Sequence, residues 1–520
     1  MHDETREDGP SAAWPLTFRW AHLADWLLRH PLALALPVQA ALLLTDLARL
    51  PIWGDEQSSL TRASSTLDAL LRALATNVHP VLYFVSLRAW LSLPCPAEPL
   101  VCARALSVLF LLAATILVDR CWLRGLDPAS RAWFLALWAL SPALLLYGRM
   151  ARSYSLQLLL GTAAVFMGQR LVERRSAATV LGFAAAAVAL LHTHYLPGLA
   201  VVSAVTALML WTALRARDAR AAGALAIALA VIAIGLAPWL DAFLRSVRLV
   251  SNGVPHRVFE QAWLDAGAAL AYAAVSFSIG ESLPAWLLAV AVVLVPAAVW
   301  LAARGGRERP PWLPLVIITG AIAFVGAHSW VSYAFVAGRL LFLLPFWLLL
   351  LVLGGRRAPR LRTAVCAALL LASAAGIDAY FGQSGFLNKA YVIPAAAIRD
   401  AIRERTAGAP AVLVLDDSNV PIAVPGLRTI RIADRRAFDE VLQLADGRAE
   451  LVWFVRAAHD GSREAWSARV EQAFAPRFTL RRRGFVPYSA FDRWLMGLAG
   501  WPERPSHVVE LIEMRARRGG

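Results

Sequence analysis

Charge is scarce in this chain of 520 residues. Asp, Glu, Lys and Arg together make up 17% of it, against 59% apolar residues and a mean hydropathy of +0.56. A soluble domain carries about 25% charged residues, so a string of soluble domains is excluded and a polytopic α-helical membrane protein is predicted. Lysine is almost missing: Lys389 is the only one, so the formal charge of +15 is an arginine charge. Most arginines fall between apolar runs, where they act as topology signals, and no nucleic-acid partner is expected. Cysteine is scarce as well. Cys95, Cys102, Cys121 and Cys366 make neither a metal-ligand pattern nor a disulfide framework. Cys95 and Cys102 would pair if both faced an oxidising compartment, but two small apolar residues near a membrane surface is the preferred reading. No cleavable signal segment is expected, and no internal repeat of the transporter kind is visible in the sequence.

What is present is a series of thirteen apolar runs between residues 31 and 381. With the N-terminus inside and the runs 79–93 and 262–280 not crossing, the inside loops hold sixteen arginines in 43 residues. The outside segments then hold ten in 116. Letting either run cross alone would move arginine-rich loops outside, against the positive-inside rule. The expectation is about eleven crossings, with those two runs as juxtamembrane or re-entrant helices on the outer face and the C-terminus outside. Three regions follow: a cytoplasmic tail at 1–30, a transmembrane domain at 31–381, and an extracytoplasmic α/β domain at 382–520. The last shows helices at 394–405, 434–444 and 462–473 alternating with strands at 411–415 and 450–455, which predicts a small parallel sheet. Asp416-Asp417 after its first strand is a loop cap or a site.

Reactive groups of a membrane enzyme belong at a watery edge, so the outer segments carry the chemistry if there is any. Asp55 and Glu56 follow the first crossing and open an amphipathic stretch with Leu67, Leu70, Leu71 and Leu74 at helical spacing. The pair is either a helix start or a source of catalytic carboxylate. His79-Pro80 with Tyr83 starts the next run. Arg149 and Arg152, followed by Tyr154, oppose the positive-inside trend and suit an anionic partner such as phosphate, or snorkel. His192, His194 and Tyr195 form the fourth group, and a zinc clamp from two histidines two apart requires that the helix has ended. Arg339 heads the tenth crossing and is a phosphate ligand or a snorkelling residue.

Taken together, GDE at 54–56, HPVLY at 79–83, Arg104, SPALLLYGRMARSYSL at 141–156, LLHTHYLPGL at 190–199 and GRLLFLLP at 338–345 resemble the GT-C glycosyltransferase superfamily. The resemblance covers roughly residues 31–350 and is nearest to the bacterial branch of protein O-mannosyltransferases and lipid A aminoarabinose and galacturonic acid transferases. Val81 stands where that family usually has a second proline, and Val78 where some members carry an acidic residue. The resemblance implies an inverting transferase of the bacterial inner membrane that takes sugar from a polyprenyl-monophosphate donor on the periplasmic face. Asp55, with Glu56 beside it, would be the base. Arg152, Arg339, Arg149 and Arg104 would bind the donor phosphate, with His79, Tyr83, Tyr154, His192, His194 and Tyr195 around the substrates. The partners implied are that donor, a lipid, glycan or protein acceptor, and membrane lipid. No cofactor is expected to be required, although a divalent metal remains compatible. The rival readings are a lipid or solute transporter and a non-catalytic envelope assembly protein.

Overall fold

The computed structural model describes residues 30–47, 54–253, 261–307, 312–330, 335–382 and 385–387 of the helical region. Beyond it, residues 395–406, 410–416, 422, 424–432, 435–445, 449–456, 461–485, 492–494, 497 and 508–517 are described. The expected N-terminal tail up to residue 29 and Asp417 lie outside the described residues.

The protein is a polytopic helical membrane protein with a C-terminal α/β domain. The first helix among the described residues, α1 (Pro31–Leu44), is followed by three short helices, α2 (Gly54–Ala63), α3 (Leu67–Ala75) and α4 (Leu82–Leu91). Thr66 caps α3, accepting from the Ala69 N–H at 3.3 Å. Leu70 and Leu74 of the expected amphipathic stretch are fully buried, against Tyr83, Phe84 and Leu87 of α4 and Ala103 and Leu106 of α5 (Pro99–Val118). Leu67, on the same stretch, is exposed.

The bundle continues through α6 (Pro128–Ala139), α7 (Pro142–Gly148), α8 (Tyr154–Arg174), α9 (Ala177–Leu191), α10 (Tyr195–Ala216), α11 (Ala219–Leu236) and α12 (Leu240–Ser251). It closes with α13 (Ala262–Ile279), α14 (Ala285–Gly305), α15 (Trp312–Trp330), a 3₁₀ turn (Ala337–Leu343), α16 (Leu344–Gly354) and α17 (Pro359–Gly382). Among the described residues eight helical segments are long and apolar enough to cross a membrane, and nine if α6 and α7, bent by 47°, are one span. The bend has a local cause: Ser141 caps α7 and Pro142 takes its first position, where a missing N–H is harmless. Gly305 and Gly354 let α14 and α16 touch backbone to backbone, since a Cβ on either would fall within 2 Å of a carbonyl oxygen of the other helix.

The described residues of the eleven runs expected to cross are mostly helical, but α1, α9 and the Leu313–Gly326 stretch of α15 are shorter than a membrane span. The run 79–93 gives only the ten residues of α4. The run 262–280, expected to stay on one face, gives an eighteen-residue helix that meets the length and hydropathy of a span, so composition alone does not separate it from the others. Its contacts do not separate it either: it packs along α15 and α14 as well as on α7 and the 3₁₀ turn, and it ends at Gly280 against Pro142.

The C-terminal domain places α18 (Ala395–Thr406), α19 (Arg435–Gln443) and α20 (Gly461–Phe474) on a five-stranded sheet of order β2-β1-β3-β5-β4. Strands β1 (Ala411–Leu415), β2 (Arg428–Arg431) and β3 (Leu451–Arg456) are parallel, but β5 (Val509–Ala516) runs antiparallel to both β3 and β4 (Phe478–Phe485). The expected parallel sheet is therefore mixed. Ile398 and Ile402 cover one face, and Phe438, Val441, Val470 and Phe474 the other, which is why β1 and β3 read as unbroken apolar runs.

Candidate active site

Asp55 and Glu56 sit in the first turn of α2, where the helix dipole favours acidic groups. Neighbouring helical positions point about 100° apart, and the two carboxylates have different surroundings. Glu56 is 1% exposed and takes the Arg104 guanidinium as a fork, Nε to Oε1 at 2.9 Å and Nη2 to Oε2 at 2.7 Å. The Ala151 N–H donates to Oε1 at 2.8 Å, and Arg104 donates through Nη1 to the Leu47 carbonyl at 2.8 Å. That knot joins α2, α5, the end of α1 and the link between α7 and α8. Asp55 faces the other way. Its side chain is 38% exposed, with Oδ2 3.2 Å from Nη2 of Arg152.

Around Asp55 five segments meet. Asp55, Ser59 and Arg62 are four and three residues apart, so they line one face of α2. Arg152 comes from the link between α7 and α8 and donates through Nη1 to the Asp55 carbonyl and to Ser59 Oγ, each at 3.3 Å. His79 comes from the loop before α4, its ring 5.8 Å from that of Phe84, and the Arg62 guanidinium lies over the same Phe84 ring at 5.8 Å. His194 caps α10, and Arg339 lies in the 3₁₀ turn. Gln157 of α8 donates to the Arg339 carbonyl at 2.9 Å, which brings the Arg152 and Arg339 segments together.

The electrostatics confirm the convergence. Burial pushes His79 down to about 2, with Arg152, Arg62, Arg339 and His194 adding to it. Burial and then Arg339 and Arg152 push His194 down to about 3. Burial and Arg152 also lower Arg62, with Asp55 pulling the other way. Three guanidinium groups and one carboxylate thus share a site with two neutral imidazoles. Arg62 Nη1, Arg152 Nε and His194 Nδ1 are buried with no hydrogen-bond partner among the described residues. Buried N–H groups at a cationic centre are unsatisfied until an anion or water meets them. This arrangement can bind phosphate and can take a proton at Asp55.

Several expected site residues are engaged elsewhere. Arg104 belongs to the Glu56 knot. Arg149 donates to the carbonyls of Thr45, at 2.8 Å, and Asp46, and lies over the rings of Tyr380 and Phe381, so it holds the end of α1. Tyr83 is buried with its hydroxyl 3.4 Å from Ser107 Oγ, and Tyr154 packs edge-on against Tyr147. His192 places Nε2 3.1 Å from the Gly235 carbonyl, while the Tyr195 hydroxyl accepts from Trp239 Nε1 at 3.1 Å. The helix does end at Leu191, just before both histidines, but they serve different neighbours. Among the described residues no group of three His, Cys, Asp or Glu side chains is placed to hold a metal.

Sequence reading missed Ser59 and Arg62. The four- and seven-residue spacing from Asp55 was the available signal. It also preferred unpaired cysteines, whereas Cys95 and Cys102 are bonded to each other across seven residues. Cys102 opens α5, and its carbonyl accepts from Trp90 Nε1 of α4 at 2.8 Å, at the same end of the bundle as Asp55.

The sequence matches no family model, and no curated protein matches it. Among solved structures, the chain is similar to the crystal structure of ArnT from Cupriavidus metallidurans bound to undecaprenyl phosphate. The likeness covers 94% of this chain and 98% of that one, at 14% identity and a TM-score of 0.46.

Proposed function

We propose that the chain is an integral-membrane inverting glycosyltransferase. It moves a sugar from a polyprenyl-monophosphate donor to an acceptor hydroxyl at the periplasmic face of a bacterial inner membrane. The observation that carries this reading is the pairing of Asp55, an accessible carboxylate, with Arg152 inside a cluster that also holds Arg62 and Arg339. Asp55 takes the proton of the acceptor hydroxyl as the oxygen attacks the anomeric carbon from the face opposite the phosphate. The bond from that carbon to the phosphate oxygen breaks, and the lipid phosphate leaves with the electron pair. Arg62, Arg152 and Arg339 face the negative charge that grows on it, in a site where water is partly excluded. Because Arg152 contacts Asp55 directly, one guanidinium links the base to the leaving group. Glu56 and Arg104 fix the helix that presents Asp55 and take no part in proton transfer. The guanidinium groups supply the positive charge, so the reading routes no step through a metal ion.

Two observations support placing the site outside. The loops at the opposite end hold the denser arginines. The Cys95–Cys102 bond lies at the site's end, and disulfides persist in oxidising compartments.

The test is transfer from a polyprenyl-phosphate sugar in membranes, at equal folded protein. Asp55→Asn should lower turnover by roughly 10²–10⁴-fold with insertion intact, since asparagine still starts a helix but accepts no proton. Glu56→Gln should instead lower the folded yield, because breaking a buried ion pair costs about 3–5 kcal/mol. Near-normal turnover in the Asp55 variant would remove the base and leave the acidic pair a helix start.

A further inference from the structure

Glu281 lies in the turn between α13 and α14, is 1% exposed, and is in no ion pair among the described residues. Three hydroxyls converge on its carboxylate. Tyr147 and Ser276 donate to Oε1, the latter at 2.8 Å, and Tyr272 donates to Oε2 at 2.6 Å. Burying a carboxyl is costly, and burial pushes this one above its ordinary value against the pull of all three hydroxyls. An apolar residue would pack there more cheaply, so the group calls for a reason.

Its backbone is anchored independently. The Leu387 N–H donates to the Glu281 carbonyl at 2.9 Å, and the Leu283 N–H to that of Gly385 at 2.9 Å. Gly280 takes φ +89° to make the turn, a conformation L residues rarely adopt, and a Cβ there would also meet Pro142. The carboxylate is thus a fixed point, and Tyr147 is what it fixes. Tyr147 closes α7, five residues ahead of Arg152, and its ring lies against Gly338 so tightly that a Cβ there would be 2.6 Å from its Cδ1. Gly338 is the residue before Arg339. One side chain therefore touches the backbone of the Arg339 segment and belongs to the element that leads into Arg152.

We propose that Glu281 is a positioning residue for the anion site: through its hydrogen bond to Tyr147 it sets where the Gly338–Arg339 backbone sits relative to Arg152. The proposal rests on the functional reading above for its kinetic consequence, but not for its structural one. A misplaced Arg339 weakens the hold on the donor phosphate and leaves the acceptor side untouched. The variants are Glu281→Gln, Tyr147→Phe and the double variant, in the full-length protein. Tyr272→Phe serves as a second route should Glu281→Gln fold poorly.

Two measurements decide it. Hydrogen exchange over residues 337–343 should quicken in Glu281→Gln and Tyr147→Phe, while α5 keeps its protection. In the transfer assay both single variants should raise KM for the polyprenyl-phosphate sugar by about tenfold with KM for the acceptor unchanged. The double variant should do no more than either, as expected of two groups acting through one contact. Unchanged exchange at 337–343, or additive effects, would overturn the proposal. So would a lower kcat with both KM values unchanged, since that is the mark of lost folded protein. If the wild-type chain transfers no sugar from such a lipid, the functional reading falls, and the exchange measurement still decides the role of Glu281.

Discussion

Burial, with the combined field of Arg152 and Arg339 acting in the same direction, keeps the His79 and His194 imidazoles neutral to about 2 and about 3. In the unfolded chain each would titrate near 6.5. Below that value the unfolded state binds protons that the folded state refuses, so stability is full above about pH 6.5 and falls as pH drops towards the folded values. Thermal unfolding in detergent should therefore show a melting temperature that declines on acidification from pH 6.5, and His79→Asn should flatten part of that decline. An unchanged acid slope would mean that His79 titrates in the folded state as it does in water. The sequence made both histidines visible as candidates. It could not assign their charge, because burial is the main cause and the arginines that add to it, Arg152, Arg62 and Arg339 around His79, are gathered only by the fold.

At the scale of elements, α2 presents the candidate site on one face and its attachment on the other. Asp55, Ser59 and Arg62 look into the site, and Glu56 is locked to Arg104. The amphipathic reading of the neighbouring stretch correctly picked Leu70 and Leu74 for burial, since an apolar stripe of helical period has to face a core. It had no means of picking Arg62 over Arg72, whose side chain lies exposed beside Asp68. Arg62→Lys and Arg152→Lys keep the charge but lose the planar fork, so each should weaken binding of a polyprenyl monophosphate by about tenfold with the bundle intact. Titration of the purified variants with that lipid checks it, and wild-type affinity in both would return these arginines to a structural role. In the C-terminal domain, β1 and β3 were legible because strands buried on both faces are continuously apolar. β4, with the sequence FTLRRRGF, was not, because it is the edge strand and its arginines are exposed.

For the whole molecule, the proposed function puts the site and the C-terminal domain on the outer side of the membrane, a reading supported by arginine placement and by the Cys95–Cys102 bond at the site's end. A reporter fused after Gly520 that works only outside the cytoplasm should be active, and one that works only inside should be silent; the reverse pattern would invert the topology. Composition by itself determined that the chain is a membrane bundle, since 59% apolar residues admit few other solutions, and it determined where the helices run. The alternation after residue 394 likewise determined an α/β domain, because period is a local property. Tertiary structure alone decided which of two adjacent carboxylates is accessible and which is locked to a guanidinium. It also decided which arginines face an open site and which bind backbone carbonyls, and which way β5 runs. Each of these depends on contacts between residues tens to hundreds of positions apart, and a guanidinium looks the same in sequence whether it meets a carbonyl, a carboxylate or empty space.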